Sequence, residues 1–244
     1  MKSDPTPEVG RAASSAPPAR REALETARPA SAMSPFYFVG WNLFRLTFSV
    51  YCRSRVFNPE RVPLTGPAIL ASNHASFLDP FLVGASLPRA INYLARDDLF
   101  RVPALGWVLR HWQTVPVNRE GGGAKGLRAI LDRLLDGGAI ILFPEGTRTR
   151  DGKLQPARSG IGLTVIKSAA PVVPVRVFGT FEAFNRFMSF PRPRRVTVKF
   201  GQPMVFERLR EEAKNCSKER LKEIYQQVAD ETMAAIARLE PIRN

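Results

Sequence analysis

The alternation of short apolar runs with helix-forming stretches, sustained from about residue 68 to residue 240, leaves this chain few architectures. Runs at 68–72, 90–95, 113–117, 139–143, 172–177 and 195–200 have the length of strands. Ala139-Ile140-Ile141-Leu142-Phe143 is apolar throughout, as a strand buried on both faces must be. Helical spacing covers 80–86, 104–111, 124–136, 159–169, 206–213 and 218–239. The last of these repeats Leu221, Ile224, Tyr225, Val228, Thr232, Met233 and Ile236 along one face, which packs on the body. Strand–helix alternation of this kind predicts an α/β fold: a central mixed, largely parallel sheet flanked by helices. Reactive groups then belong in loops just past strand ends.

Two such loops carry chemistry. The first, Asn73-His74-Ala75-Ser76-Phe77-Leu78-Asp79-Pro80, follows the 68–72 run and holds one of only two histidines in the chain. An imidazole held by a carboxylate is a base that works near neutral pH. In a continuous helix His74 and Asp79 would lie roughly 140° apart and could not meet. Proline favours the first helical position and aspartate the N-cap before it, so a helix opening at Asp79-Pro80 leaves His74 on a loop that folds back. The plainer reading of these residues alone is a loop histidine beside a capping aspartate. The second loop, Pro144-Glu145-Gly146-Thr147-Arg148-Thr149-Arg150, follows the 139–143 run. Guanidiniums are shaped for forked binding of phosphate oxygens, and Glu145 is placed to hold Arg148 or bond a substrate hydroxyl. Alone, this loop reads better as a solvated basic turn.

Together the two segments resemble the PlsC-like glycerolipid acyltransferases, the 1-acylglycerol-3-phosphate acyltransferases in particular. That family's His-x4-Asp motif matches Asn73-His74 through Asp79, and its Phe-Pro-Glu-Gly-Thr-Arg motif is unbroken from Phe143 to Arg148. Val115-Pro116-Val117-Asn118-Arg119 matches a motif ending in arginine, and Val172-Val173-Pro174-Val175 an apolar motif around proline. All four occur in the family's order, within a resemblance running from about residue 36 to residue 202. Where the family commonly has Phe-Lys-x-Gly, this chain has Ala157-Arg158-Ser159-Gly160, keeping charge and glycine but losing the aromatic.

The resemblance implies transfer of an acyl chain from acyl-CoA or acyl carrier protein to the free hydroxyl of lysophosphatidic acid, giving phosphatidic acid. It implies His74 and Asp79 as the catalytic pair and Arg119, Glu145, Gly146, Thr147 and Arg148 as the phosphate site, with Asn73 and Arg158 as further members. No metal and no cofactor beyond the acyl donor are implied. Rival readings are the same fold acting on another acceptor (a lyso-ornithine lipid, glycerol-3-phosphate or another lysophospholipid), or a non-catalytic basic membrane-surface module.

Composition bears on partners. Residues 1–32 contain 17 Pro, Ala and Ser, too little apolar surface to offset ordering entropy, and are expected to form a disordered tail without the pattern of a secretory signal. The chain carries a net charge of +14, nearly all of it outside that tail, which calls for an anionic partner. No zinc-finger spacing or ribonucleoprotein signature is present, so an anionic membrane surface and phosphorylated substrates are expected rather than nucleic acid. Gly121-Gly122-Gly123-Ala124-Lys125-Gly126 lacks the Lys-Ser/Thr ending of a nucleotide loop, and no Gly-x-Ser-x-Gly elbow or His-Glu-x-x-His occurs. Cys52 and Cys216 lie far apart, so a reducing setting at the cytoplasmic face of a membrane is the expectation. Within 33–58, residues 36–52 are at the short limit for a span and include Asn42 and Arg45. An amphipathic helix at the membrane interface is expected there, with Phe36, Tyr37, Phe38, Trp41, Phe44, Phe48 and Tyr51 toward lipid; the alternatives are a helix packed in the core and a true span. The acyltransferase domain is then 59–244.

Overall fold

A computed structural model describes residues 33–117 and 124–241. The expected tail at 1–32, Asn118, Arg119 and the glycine run 121–123 lie outside the described residues. Helix α1 (Pro35–Val50) leads into β1 (Arg55–Phe57) and β2 (Ala68–Ser72). There follow α2 (Asp79–Ala85), β3 (Ile91–Arg96), α3 (Pro103–His111), β4 (Thr114–Val117), α4 (Ala124–Leu135) and β5 (Ala139–Leu142). The chain continues through α5 (Gly160–Ser168), β6 (Val172–Phe178), α6 (Thr180–Phe184), β7 (Thr197–Phe200), α7 (Glu207–Lys214) and α8 (Lys218–Arg238).

The strands form one seven-stranded sheet in the order β1-β7-β6-β2-β5-β3-β4. β6, β2, β5, β3 and β4 run parallel. β7 pairs antiparallel with β6, and β1 pairs parallel with β7, so the expected mixed, largely parallel sheet is present. Strand alternation splits β2 and β5 between two cores. Ala68, Leu70, Ala139 and Ile141 face one side with α1 and α2, whereas Ile69, Ala71, Ile140 and Leu142 face the other with α4, α5, α7 and α8. Burial on both faces explains why these runs are continuously apolar.

α1 departs from expectation in one respect. Tyr37, Trp41 and Phe48, predicted to point at lipid, are buried in the first core, with Phe36 and Phe44 packed partly against it. Seven-residue α2 is too short to cover that sheet face, and the bulky side of α1 supplies the rest. Each such ring contributes roughly 1.5–3 kcal/mol by leaving water. Trp41 Nε1 donates to the Gly84 and Leu87 carbonyls at 3.2 and 3.0 Å, fixing α1 on the end of α2. Gly40 allows the close approach: a Cβ there would lie 2.2 Å from the Trp112 ring. The side left exposed carries Phe38, Val39, Leu43, Leu46 and Val50 among Asn42, Arg45, Thr47 and Ser49. No helix among the described residues is long and apolar enough to cross a membrane.

Candidate active site

β2 and β5 are parallel neighbours, with Ala71 opposite Leu142, so the loops leaving their C-terminal ends emerge side by side. This is how residues 71 apart in sequence come to touch: the His74 backbone N–H donates to Glu145 Oε1 at 3.1 Å. The Thr149 backbone N–H returns a bond to the His74 carbonyl at 2.9 Å. The histidine loop is thus stitched at both main-chain groups to the glutamate–arginine turn.

His74 Nδ1 lies 2.9 Å from Asp79 Oδ2, and the same oxygen accepts the backbone N–H groups of Ala75 and Ser76 at 2.7 Å each. Oδ2 already accepts two backbone N–H groups, so in the neutral ring the tautomer that fits has Nδ1 as donor and Nε2 as acceptor. The Asp79 side chain is wholly buried, while that of His74 keeps 18% of its surface exposed. Phe143 stacks on the imidazole with centroids 3.9 Å apart and planes 17° from parallel, fixing the ring's plane. The local structure differs from expectation in one detail. Asp79 is the first helical residue rather than the N-cap, a place taken by Leu78, and its carboxylate turns back over the loop instead of capping α2. Three hydrogen-bond donors converging on one oxygen outweigh a single cap bond.

Ser76 and Asn73 brace the loop. Ser76 Oγ donates to the Phe184 carbonyl at 2.6 Å and accepts the Leu78 N–H at 3.0 Å. β2 and β6 pair as far as Ser72 and Val175. Beyond them the Asn73 side chain stands in for main chain, donating to the Val177 carbonyl at 3.2 Å and accepting its N–H at 2.8 Å.

Glu145 is buried beneath His74 rather than lining a cavity. Burial pushes its carboxyl up to about 7, and the Asp79 charge adds to this, while the N–H groups of His74 and Gln155 pull it back down. Gly146 adopts φ +71°, a conformation that favours glycine, and the Arg158 side chain lies across it, 2.9 Å from where a Cβ would stand. Arg148 places its guanidinium 3.3 Å from the centroid of the Phe77 ring. Beside these groups opens a cavity of about 390 Å³ lined by Thr147, Arg148, Thr149, Arg150, Asp151, Gln155 and Arg186. Asn73, His74, Asp79, Glu145, Gly146, Thr147, Arg148 and Arg158 therefore gather at one end of the sheet, while Arg119 is outside the described residues. Sequence reasoning missed Ser76, Thr149 and Arg186. Thr149 extends the Thr-Arg-Thr-Arg run and was legible there; Arg186 reaches the site only through topology, 112 positions after His74.

Residues 53–178 match the model of a family described as Acyltransferase. The chain belongs to that family. Its relatives include the chloroplastic 1-acyl-sn-glycerol-3-phosphate acyltransferase BAT2 of Brassica napus, 32% identical over 116 residues covering 47% of this chain and 33% of that one. The 1-acyl-sn-glycerol-3-phosphate acyltransferase of Bacillus subtilis is 28% identical over 139 residues, 57% of this chain and 69% of its own. The matches span a third to a half of the first curated relatives' lengths: 33%, 32% and 52%. The crystal structure of the 1-acyl-sn-glycerophosphate acyltransferase PlsC of Thermotoga maritima superposes with a TM-score of 0.63 at 23% identity, covering 92% of this chain and 85% of that one. This acyltransferase-family chain and that enzyme share a fold. The match ends at residue 178, so the loop bearing Arg186 lies beyond it.

Proposed function

We propose that this chain transfers an acyl group from a thioester donor, acyl-CoA or acyl carrier protein, to the free hydroxyl of 1-acylglycerol-3-phosphate, giving phosphatidic acid. In this reading His74 Nε2 takes the hydroxyl proton as the oxygen attacks the thioester carbonyl carbon. The tetrahedral adduct collapses by breaking the carbon–sulfur bond, and the imidazolium returns the proton to the departing thiolate. Asp79 holds the Nδ1–H tautomer and offsets the positive charge that develops on the ring. A base positioned this way contributes typically ~10²–10⁴-fold. The acceptor supplies its own nucleophile, so no enzyme-bound intermediate is needed. Arg148, Thr147 and Gly146 receive the phosphate, with Arg119 and Arg158 as further cations. Glu145 serves that site from below, holding the His74 and Gln155 main chain.

The observation carrying this reading is the 2.9 Å contact between His74 and Asp79, with the His74 carbonyl bonded to Thr149 of the arginine-lined cavity. The names of the relatives supply the acceptor. The exposed side of α1, where Val39, Leu43, Leu46 and Val50 recur at helical spacing, supports membrane association. Tyr51 Oη donates to the Pro191 carbonyl at 3.0 Å, joining the end of α1 to a loop with exposed Phe187 and Phe190 followed by Arg192, Arg194 and Arg195. Apolar rings beside guanidiniums suit the headgroup layer of an anionic bilayer.

The test is an acceptor panel with radiolabelled acyl-CoA and acyl carrier protein, offering 1-acylglycerol-3-phosphate, glycerol-3-phosphate, a lyso-ornithine lipid and lysophosphodiesters. Preferred acylation of 1-acylglycerol-3-phosphate is the expected result. Preference for another acceptor would reassign the substrate, and transfer to none with vesicle binding intact would leave a non-catalytic membrane module.

A further inference from the structure

The cavity beside His74 is built from two separate stretches of chain. Thr147 to Asp151 and Gln155 come from the loops after β5, but Arg186 comes from the loop after α6, some 35 residues further along. Neither the four motifs nor the matched segment includes it. The turn that carries this exposed arginine is nonetheless fixed in place. Ser76 Oγ donates to the Phe184 carbonyl at 2.6 Å, and the Phe77 and Phe184 rings meet with centroids 5.4 Å apart. Asn185 folds the turn around Arg186: its Nδ2 donates to the Phe181 carbonyl at 3.0 Å, and its Oδ1 accepts the Phe187 N–H at 3.0 Å. The Arg192 N–H donates to the Ala183 carbonyl at 2.8 Å and closes the loop base. The turn that presents Arg186 is therefore fastened to the histidine loop at Ser76 and Phe77. The same Phe77 ring lies against Arg148.

Charge completes the argument. Three guanidiniums, Arg148, Arg150 and Arg186, share the cavity lining with one carboxylate, Asp151. Asp151 Oδ1 is committed locally, accepting from Thr149 Oγ1 at 2.8 Å and the Lys153 N–H at 3.1 Å. These bonds hold its carboxyl below the usual range, Thr149 contributing most. Two positive charges remain in excess. A phosphomonoester carries about −1.5 to −2 at neutral pH, whereas a phosphodiester carries about one negative charge. Without Arg186 the excess would fall to one.

We infer that Arg186 is a specificity-determining residue that closes the acceptor's headgroup site and matches it to a phosphomonoester over a phosphodiester. This rests on the acyl-transfer reading for its kinetic readout only, because phosphate binding is measured without turnover. The ligand chemistry is a phosphomonoester on a glycerol backbone, and soluble glycerol-3-phosphate separates it from attraction to a bilayer.

The experiment compares the full chain with Arg186→Ala, Arg186→Lys and, as a charge-matched control, Arg208→Ala at an exposed position of α7. KM and kcat for 1-acylglycerol-3-phosphate are measured in vesicles of fixed composition, and glycerol-3-phosphate affinity is measured by calorimetry in detergent. Arg186→Ala is expected to raise KM about 10–30-fold with kcat within about threefold, and to weaken glycerol-3-phosphate by a similar factor. Arg186→Lys should recover part of both, and Arg208→Ala should change neither. Unchanged glycerol-3-phosphate affinity in Arg186→Ala would overturn the proposal, including the case where KM rises through weaker vesicle binding. Loss of glycerol-3-phosphate affinity in a wild-type background that acylates no acceptor would uphold the site and refute the acyl-transfer reading instead.

Discussion

Replacing Asp79 by Asn isolates the charge of the pair from its geometry. One oxygen, Oδ2, accepts from His74 Nδ1, the Ala75 N–H and the Ser76 N–H at 2.9, 2.7 and 2.7 Å. In the variant the amide oxygen takes that position, because the reverse orientation would set an NH₂ against three donors. The loop and the Nδ1–H tautomer are then retained, and what is lost is the negative charge facing the developing imidazolium. At a charge separation of about 4 Å and an effective dielectric of about 20 that interaction is about 4 kcal/mol. At about 1.36 kcal/mol per decade the rate should fall ~10³-fold. The same exchange in the serine-protease triad costs about 10⁴, where the wrong tautomer adds to the loss. The assay follows thiol release from acyl-CoA at saturating acceptor, with thermal unfolding as the control for the fold. A kcat within tenfold of wild type in a folded variant would show that Asp79 only scaffolds the loop, and the argument for an ion-paired base would fail.

The buried Glu145 gives a pH prediction. Its carboxyl rises from 4.5 to about 7 on folding, so between those values the folded state binds more protons, and stability declines as pH rises through that window. At about 1.36 kcal/mol per unit this amounts to roughly 3 kcal/mol at most. Glu145→Gln keeps an acceptor for the His74 N–H, so denaturation curves at pH 5 and pH 8 should lose most of this difference; an undiminished slope would place the titration elsewhere. Replacing Leu43 and Leu46 together with Glu should cut binding to anionic vesicles at least tenfold while leaving the unfolding temperature nearly unchanged, because both side chains are exposed. A large loss of stability would mean that this side of α1 packs on protein instead.

Much of the architecture was legible because the strands are buried on both faces. Ala68 to Ala71 and Ala139 to Leu142 are apolar at every position; the 68–72 run matches β2, and the 139–143 run overshoots β5 by Phe143. β1 escaped notice because Arg55-Val56-Phe57 is short and mostly exposed, and it holds its place only through pairing with β7. The orientation of α1 was not readable either. The helix carries large apolar residues on both sides, so periodicity alone could not say which side met the sheet; packing of Trp112 against Gly40 and Tyr37 decides it. At the site, a helix opening at Asp79-Pro80 was legible and left His74 on the loop, but the contact forms with Asp79 inside the first turn rather than at the N-cap. The burial of Glu145 under His74 did not follow from anything local. It arises from the parallel pairing of β2 with β5, a fact about the sheet rather than about either loop.

The most direct measurement is acyl transfer to 1-acylglycerol-3-phosphate by His74→Ala beside wild type, paired with acceptor binding by calorimetry. If the imidazole is the base, transfer falls by ~10²–10⁴-fold while acceptor affinity stays within about threefold. Transfer at the wild-type rate, or loss of binding with residual transfer intact, would contradict it.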